Sequence, residues 1–499
     1  MRILEIMSIL LLFVASIFVV WGSKGKKLNP SKKIYVGLLS GLIVVFGLHA
    51  IIEHLRVQMI PAYVVLAIAV ASLIYKIVKY EQPTNGARKG TKGKNQTLQL
   101  VLKSLSTLGL VLLLVASTVL SSLLPIFTMP EPNGEYAIGT ITKNLIDETR
   151  TETLNGDQEA NVKREVAINV WYPVDKAEVE QQVKESFPPQ IGEAISLVFG
   201  FPNQLFSHVS LIDTHVVANA KLSDTQQSYP VVLFSPGIRS TRFQSMTAVE
   251  ELVSRGYIVV GMDHPYTSAH VELSNGNDAF YITEPEFYTS KQMYDLNVEV
   301  VGIRAHDAKF ILDQLELWNK QDSQFTDRLN LDKIGMFGHS YGGATTVEAM
   351  AQDERIKAGV SLEGGFWGTV SHKGLKQPFM YIMSEKTEQS FDPTSGVTEA
   401  VSYEEFLPDL QSVMEKSTND TYYLTVDHFY HQSFTDIALV SPLLFSKEMD
   451  AMHSVDITRS YVGAFFDQYL KGEKNHLLDG ASNQYPEVRF SSEYTKKAK

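Results

Sequence analysis

Hydrophobic and polar positions alternate on two different scales along this chain. In the first part, apolar stretches run without interruption at roughly 3–22, 34–52, 60–78 and 105–127. About 20 apolar residues suffice to cross a bilayer as a helix, and lipid offers the backbone no hydrogen bonds, so such runs are read as helices. The last of them, "LSTLGLVLLLVASTVLSSLLPIF", carries no charge at all. Small Gly, Ala and Ser residues scattered through the four runs suit close helix–helix contact. From residue 165 onward the scale shortens. "EVAINVWYP", "YPVVLFSPG", "GYIVVGMDH", "DKIGMFGHS", "IKAGVSLEGG" and "QPFMYIMSE" are apolar runs of strand length, closed mostly by Gly, Pro, Ser or Asp. Between them "MTAVEELVSRG" and "VVGIRAHDAKFILDQLELW" repeat apolar residues every three or four positions, the period of a helix. Strand and helix in alternation predict a mostly parallel sheet covered on both faces. In such sheets ligands sit at the carboxyl ends of the strands.

The pattern therefore predicts a membrane domain with four transmembrane helices over 1–129 and an α/β domain over 130–499. Residues 174–229 break the alternation with two helical stretches, and are expected to form a cap or lip inserted beside the sheet. Phe199, Phe201, Leu205 and Phe206 in it would line a substrate entrance or cover the core. The segment 80–97, polar and turn-rich, reads as a disordered loop.

Charge sharpens this division. Residues 1–129 hold 14 Lys/Arg against 3 Asp/Glu, while 130–499 hold 30 against 53. So acidic a body excludes a phosphate-backbone partner, since nucleic-acid binding needs a basic face. Five lysines crowd "SKGKKLNPSKK" and seven basic residues lie between Lys76 and Lys103, whereas the turn "EHLRVQ" is balanced. The positive-inside rule makes the two basic loops cytoplasmic, leaving the acidic body on the exterior of a multi-pass cell-membrane protein. A cleaved signal peptide at 1–22 is the alternative for the first run, but the stretch is long and no small-x-small site follows. The chain has no cysteine, which excludes thiol nucleophiles, disulfides and thiolate metal sites.

Candidate chemistry centres on "KIGMFGHSYGGATT". Here Gly-x-Ser-x-Gly follows a short apolar strand and precedes a helical stretch, the setting of a nucleophile elbow. Gly338 and Gly342 would let the backbone fold back sharply and lift the Ser340 hydroxyl out of the sheet. A serine needs a neighbouring base to become a nucleophile, and in this arrangement the acid and then the histidine follow it in the chain. "YYLTVDHFYHQSF" offers His428 and His431. As a metal pair the two lack a third ligand, and no metal or organic cofactor is expected. For the acid, Glu363 ends the first strand after the elbow and Glu385 the second; the residues alone leave both open. Asp263 and His264 read as a structural turn, Phe366 and Trp367 as pocket wall or core. Arg304 and Asp307, on a helical run, read as solvated or ion-paired.

Several motifs in order resemble the platelet-activating-factor acetylhydrolase family of α/β-hydrolase serine esterases: "PNGEYAIGT", "REVAINVWYP", "YPVVLFSPG", "FGHSYGG", "GVSLEGG" and "HQSFTD". The likeness covers most of 130–499 and leaves out the four apolar runs. It implies Glu363 over Glu385, His431 over His428, and a triad of Ser340, Glu363 and His431. It further implies an oxyanion hole from the backbone N–H groups of Ile238 and Tyr341. Two departures stand out: glutamate at 363 where the family usually has aspartate, and Pro236 where a histidine is common. The activity implied is hydrolysis of short-acyl carboxylic esters, with acetylated or oxidised phospholipids among the candidate substrates, and no cofactor. An acyltransferase using the same residues, or a membrane sensor or transporter with an inactive hydrolase body, are the alternatives. Oligomeric state is not legible.

Overall fold

The structure, a computed structural model, describes residues 1–22, 30–80, 96–155, 162–283, 289–398 and 403–498. Stretches 23–29 and 81–95 of the two basic loops, on which the orientation argument rests, lie outside the described residues, as does most of the polar segment 80–97. The chain forms two compact units: Met1–Ile126 with Gln204–Leu211, and Phe127–Asn203 with Ile212–Lys499.

The first unit contains four helices long and apolar enough to cross a membrane: Ile3–Trp21, Lys32–Glu53, Val57–Val78 and Thr97–Leu123. The fourth begins earlier than its apolar run because the helix continues through polar positions such as Lys103. Many of their large apolar side chains, Leu10, Ile43, Ile68 and Leu112 among them, point outward and are exposed. A soluble helical bundle would bury these, and helices facing lipid would not. What the unit does bury includes an ion pair. Arg56 donates to both oxygens of Glu5 at 2.6 and 2.7 Å and to the Leu124 carbonyl at 2.7 Å. The domain boundary anticipated at 129/130 falls at 126/127, and the anticipated lip is divided. Gln204–Leu211 belongs to the first unit because the buried Gln58 amide donates to the Leu205 carbonyl at 2.6 Å and meets His208 at 3.1 Å.

The second unit is built on one ten-stranded sheet. In chain order its strands are β1 (Ala137–Thr151), β2 (Lys163–Val174), β3 (Val216–Ala218), β4 (Tyr229–Ser235) and β5 (Ile258–Asp263). A separate two-stranded ribbon of β6 (His270–Glu272) and β7 (Asp278–Phe280) follows. The large sheet continues with β8 (Leu329–His339), β9 (Ile356–Leu362), β10 (Phe379–Ser384), β11 (Thr421–Val426) and β12 (Val488–Phe490). The spatial order is β12-β11-β10-β9-β8-β4-β5-β2-β1-β3. The six from β11 to β5 run parallel, and antiparallel strands flank them at β2 and β12. All seven residues of β4 and all six of β5, β10 and β11 are buried, as expected for strands covered on both faces. The six apolar runs singled out above coincide with β2, β4, β5, β8, β9 and β10. The long strand β1 escaped that reading because polar residues from Thr142 onward interrupt its apolar run.

Because β4, β8, β9 and β11 are parallel, their carboxyl ends emerge on one side of the sheet. That side collects Ser235, His339, Leu362 and Val426, and with them the loops that carry the candidate chemistry.

Candidate active site

At the end of β8 the chain reverses into the helix Tyr341–Gln352, and Ser340 sits at the apex with φ 56° and ψ −122°. A side chain in this region is strained, and such strain is retained where surrounding structure enforces it. The enforcement is visible at the two glycines. A Cβ at Gly342 would lie 1.9 Å from the Ser235 carbonyl oxygen, and one at Gly338 would lie 2.3 Å from the Gly342 oxygen. Only hydrogen at those positions lets the helix start so close to β4. Ser340 is half-buried and opens into a cavity of about 230 Å³, whose lining also includes Ile238, Arg239, Gln244, His339 and His431. The opposite wall is apolar, supplied by Phe187, Ile191, Ala194, Ile195, Val198 and Phe199.

Glu363 follows β9 directly and also has a positive φ, 56°. Its Oε1 accepts from His431 Nδ1 at 2.9 Å and from the Thr387 hydroxyl. Its Oε2 accepts from the Ser384 backbone N–H at 2.8 Å. The longer glutamate side chain is thus held at both oxygens. A carboxylate on Nδ1 fixes the proton there and leaves His431 Nε2 as the basic nitrogen. Glu385 is placed elsewhere: it accepts from the His428 backbone N–H at 2.8 Å and from Gln389 at 3.0 Å. The His428 side chain is exposed, with Glu448 at 3.6 Å. Glu385, His428 and Glu448 lie close together, but Lys386 and the Tyr430 hydroxyl already bind Glu448.

Tyr341 opens its helix, where the first N–H groups have no partner within the helix. Ile238 lies opposite, in the turn after β4, and lines the same cavity. Phe366 and Trp367 do not: Phe366 packs against Tyr381 and Phe406, and Trp367 against Tyr341 and Tyr403. Of the four lip residues named from the sequence, Phe199 reaches this cavity.

Two hydrogen-bond arrays behind the site went unrecognised in the sequence. In one, the Gly237 N–H donates to Gln244 Oε1 at 2.9 Å, which orients the Gln244 amide to donate to His339 Nδ1 at 3.1 Å. His339 must then carry its proton on Nε2, which meets the His431 carbonyl at 2.7 Å. Burial pushes His339 well below the usual histidine range, so it stays neutral and keeps this tautomer. The turn after β4, the residue before Ser340 and the backbone of His431 are thereby tied together. In the other array, Ser235 Oγ bonds His264 Nε2 at 2.9 Å, and His264 Nδ1 bonds Asp307 Oδ2 at 2.8 Å. All three are completely buried. Arg164 pairs with Asp307 at 2.6 Å, and Arg304 donates to Ser235 Oγ and to the Pro236 carbonyl. Arg304 and Asp307 are therefore core residues, not solvated ones. Asp263, next to them, is buried and bound by Arg242.

A mostly parallel sheet with a strained serine, a histidine and a carboxylate at the ends of its strands defines an α/β-type esterase. A family model of "Platelet-activating factor acetylhydrolase, isoform II" matches residues 124–477, and the chain belongs to that family. It is 26% identical over 408 residues to the "Probable 1-alkyl-2-acetylglycerophosphocholine esterase" of Arthroderma benhamiae, covering 76% of this chain and 97% of the relative. With the "Platelet-activating factor acetylhydrolase" of Bos taurus it shares 23% identity, covering 71% of this chain and 83% of the relative. Among solved structures, a ferulic acid esterase from Streptomyces cinnamoneus aligns with a TM-score of 0.58 and 26% identity, over 74% of this chain and all of that one. The protein is a carboxylic-ester hydrolase.

Proposed function

We propose that this chain is a membrane-anchored serine esterase that cleaves short-acyl esters, acetylated or oxidised phospholipids among them, through an acyl-serine intermediate. The observation that carries the reading is the His431–Glu363 hydrogen bond of 2.9 Å beside a cavity that Ser340 and His431 both line. Ser340 attacks the ester carbonyl while His431 Nε2 takes its proton; Glu363 holds the imidazole in place and balances the charge it acquires. The N–H groups of Tyr341 and Ile238 meet the negative charge developing on the carbonyl oxygen, each contributing on the order of 3 kcal/mol. His431 then returns its proton to the leaving alcohol. Water repeats the sequence on the acyl-serine and frees the acid.

The phospholipid class is suggested by the glycerophosphocholine esters named for the Arthroderma benhamiae relative. In this reading the four apolar helices anchor the catalytic unit, and the charge of the basic loops favours the exterior side for it. Turnover of p-nitrophenyl acetate by the full chain in detergent tests the assignment. His431→Ala is expected to lose at least roughly a thousandfold in kcat/KM, while His428→Ala keeps near wild-type activity. The reverse pattern would transfer the base to His428.

A further inference from the structure

Among the described residues that line the cavity Ser340 opens into, the one cation is Arg239, immediately after Ile238 in the turn following β4. Its backbone has φ 58°, a region that glycine occupies freely and other residues avoid. An arginine kept there argues for what its side chain does, since strain of this kind concentrates at working sites. The guanidinium lies over the Tyr281 ring, 4.7 Å from its centroid, and Nη2 donates to the Tyr281 hydroxyl at 3.0 Å. Nε is buried with no hydrogen-bond partner.

No carboxylate among the described residues forms an ion pair with Arg239, whose guanidinium contacts are those with Tyr281. Among the described residues, the other arginines around this sheet meet carboxylates: Arg164 meets Asp307, Arg242 meets Asp263, Arg255 meets Asp467 and Arg459 meets Asp456. Arg304, the exception, is sealed in the core and spends its contacts on Ser235 and Pro236. Among the described residues, Arg239 alone combines a place on the cavity wall with the absence of a carboxylate partner. The cavity also has a carboxylate in its lining, Asp436, but the Thr247 backbone N–H and hydroxyl already bind it. A half-buried guanidinium held on an aromatic ring at the edge of this cavity is set up to accept an anion, and its planar fork suits the oxygens of a phosphate.

We infer that Arg239 is a specificity-determining residue that binds the phosphate of the substrate while the scissile carbonyl sits between Ser340 and the N–H of Ile238. The inference rests on the esterase reading above and narrows it to esters whose anionic group lies a few bonds from the cleaved one. The adjacency in sequence makes this reach natural: with the Ile238 N–H assigned to the carbonyl oxygen, the next side chain belongs to the neighbouring part of the substrate. The apolar helix Gln190–Phe199 then takes the hydrocarbon portion.

The test compares two esters of the same alkyl and acetyl groups with full-length protein in detergent micelles. One is 1-alkyl-2-acetylglycerol 3-phosphate and the other the neutral 1-alkyl-2-acetylglycerol. Wild type should favour the phosphate ester in kcat/KM, and Arg239→Gln should lower that preference by roughly ten- to hundredfold, chiefly through KM. Arg239→Gly should lower it equally and unfold at the same temperature as wild type or higher, since glycine relieves the positive φ. Arg239→Lys should restore part of the preference. Equal turnover of both esters by wild type would overturn the inference and leave the esterase reading intact, and so would an equal loss on both esters in the Gln and Gly variants. So would inhibition of wild type by inorganic phosphate without any preference between the esters, since Arg239 would then read a free anion. If wild type hydrolyses neither ester but still turns over p-nitrophenyl acetate, the phosphate-reading role is overturned. Failure on all three substrates would defeat the esterase reading itself.

Discussion

Two serine–histidine–carboxylate sets lie behind one another in this protein, and only one is suited to chemistry. Ser235, His264 and Asp307 are joined at 2.9 and 2.8 Å. By hydrogen-bond length alone they form the more complete relay. Ser340, His431 and Glu363 share a 2.9 Å bond between the last two and a common cavity. The sets differ in access and backbone, and the inner histidine is suppressed as a base. Ser235 ends an ordinary buried strand, whereas Ser340 stands on a strained elbow and faces open space. His264 is pushed down to about 3 by burial and by the positive charge of Arg304, so it refuses the proton a serine would have to give up. Asp307 is held far below the ordinary carboxylate range by Arg164 and is committed to its ion pair. The inner set is a lock on the end of β4, and hence on the turn that carries Ile238. Three residue types joined by hydrogen bonds do not make a nucleophile; the serine must also stand where a substrate reaches it, beside a histidine that lines the same cavity.

Changing the carboxylate in each set should give opposite outcomes. Glu363→Gln keeps the fold but removes the charge that balances protonated His431, and kcat should fall by roughly 10³- to 10⁴-fold with little change in the unfolding midpoint. Asp307→Ala leaves Arg164 and Arg304 buried beside an empty position, and loss of one partner from a buried pair costs about 3–5 kcal/mol. Thermal unfolding should register that loss directly. Equal destabilisation by the two changes would erase the distinction between working set and lock.

A smaller effect separates the two sets by pH. His264 has a folded value of about 3 against an ordinary 6.5. The unfolded chain therefore binds its proton first on acidification. The stability that neutral His264 contributes is fully present above pH 6.5 and is lost as pH falls toward 3. His264→Gln can keep both polar contacts without titrating, so its stability should decline by a few kcal/mol less than wild type over that window. Denaturant unfolding at pH 7.5 and pH 4.5 measures the difference, and parallel losses would show that His264 does not titrate with folding.

The turn that carries Ser340 was legible in the sequence, because an elbow is a local pattern: strand, glycine, serine, glycine, helix within a dozen residues. The six apolar runs were legible for the same reason. Glu363 against Glu385 was not, since both end neighbouring parallel strands and only the return of the loop after β11 decides which one meets His431. The lock was missed because its partners are separated by 29 and 43 residues with no motif joining them. One signal was present. Val300, Arg304, Asp307, Ala308, Ile311 and Leu315 follow the three- and four-residue spacing of the buried face of the helix Ser290–Gln321, which placed two charges among its core positions. Charges on an apolar stripe ask for buried partners. The departure at Pro236 also gains a role in three dimensions, since its carbonyl receives Arg304.

The most direct test of the account is covalent. Full-length protein treated with a fluorophosphonate, digested and mapped by mass spectrometry should carry the phosphonyl group on Ser340, and Ser340→Ala should carry none. An adduct on Ser235, or an unlabelled wild type that still cleaves esters, would contradict the assignment of Ser340 as the nucleophile.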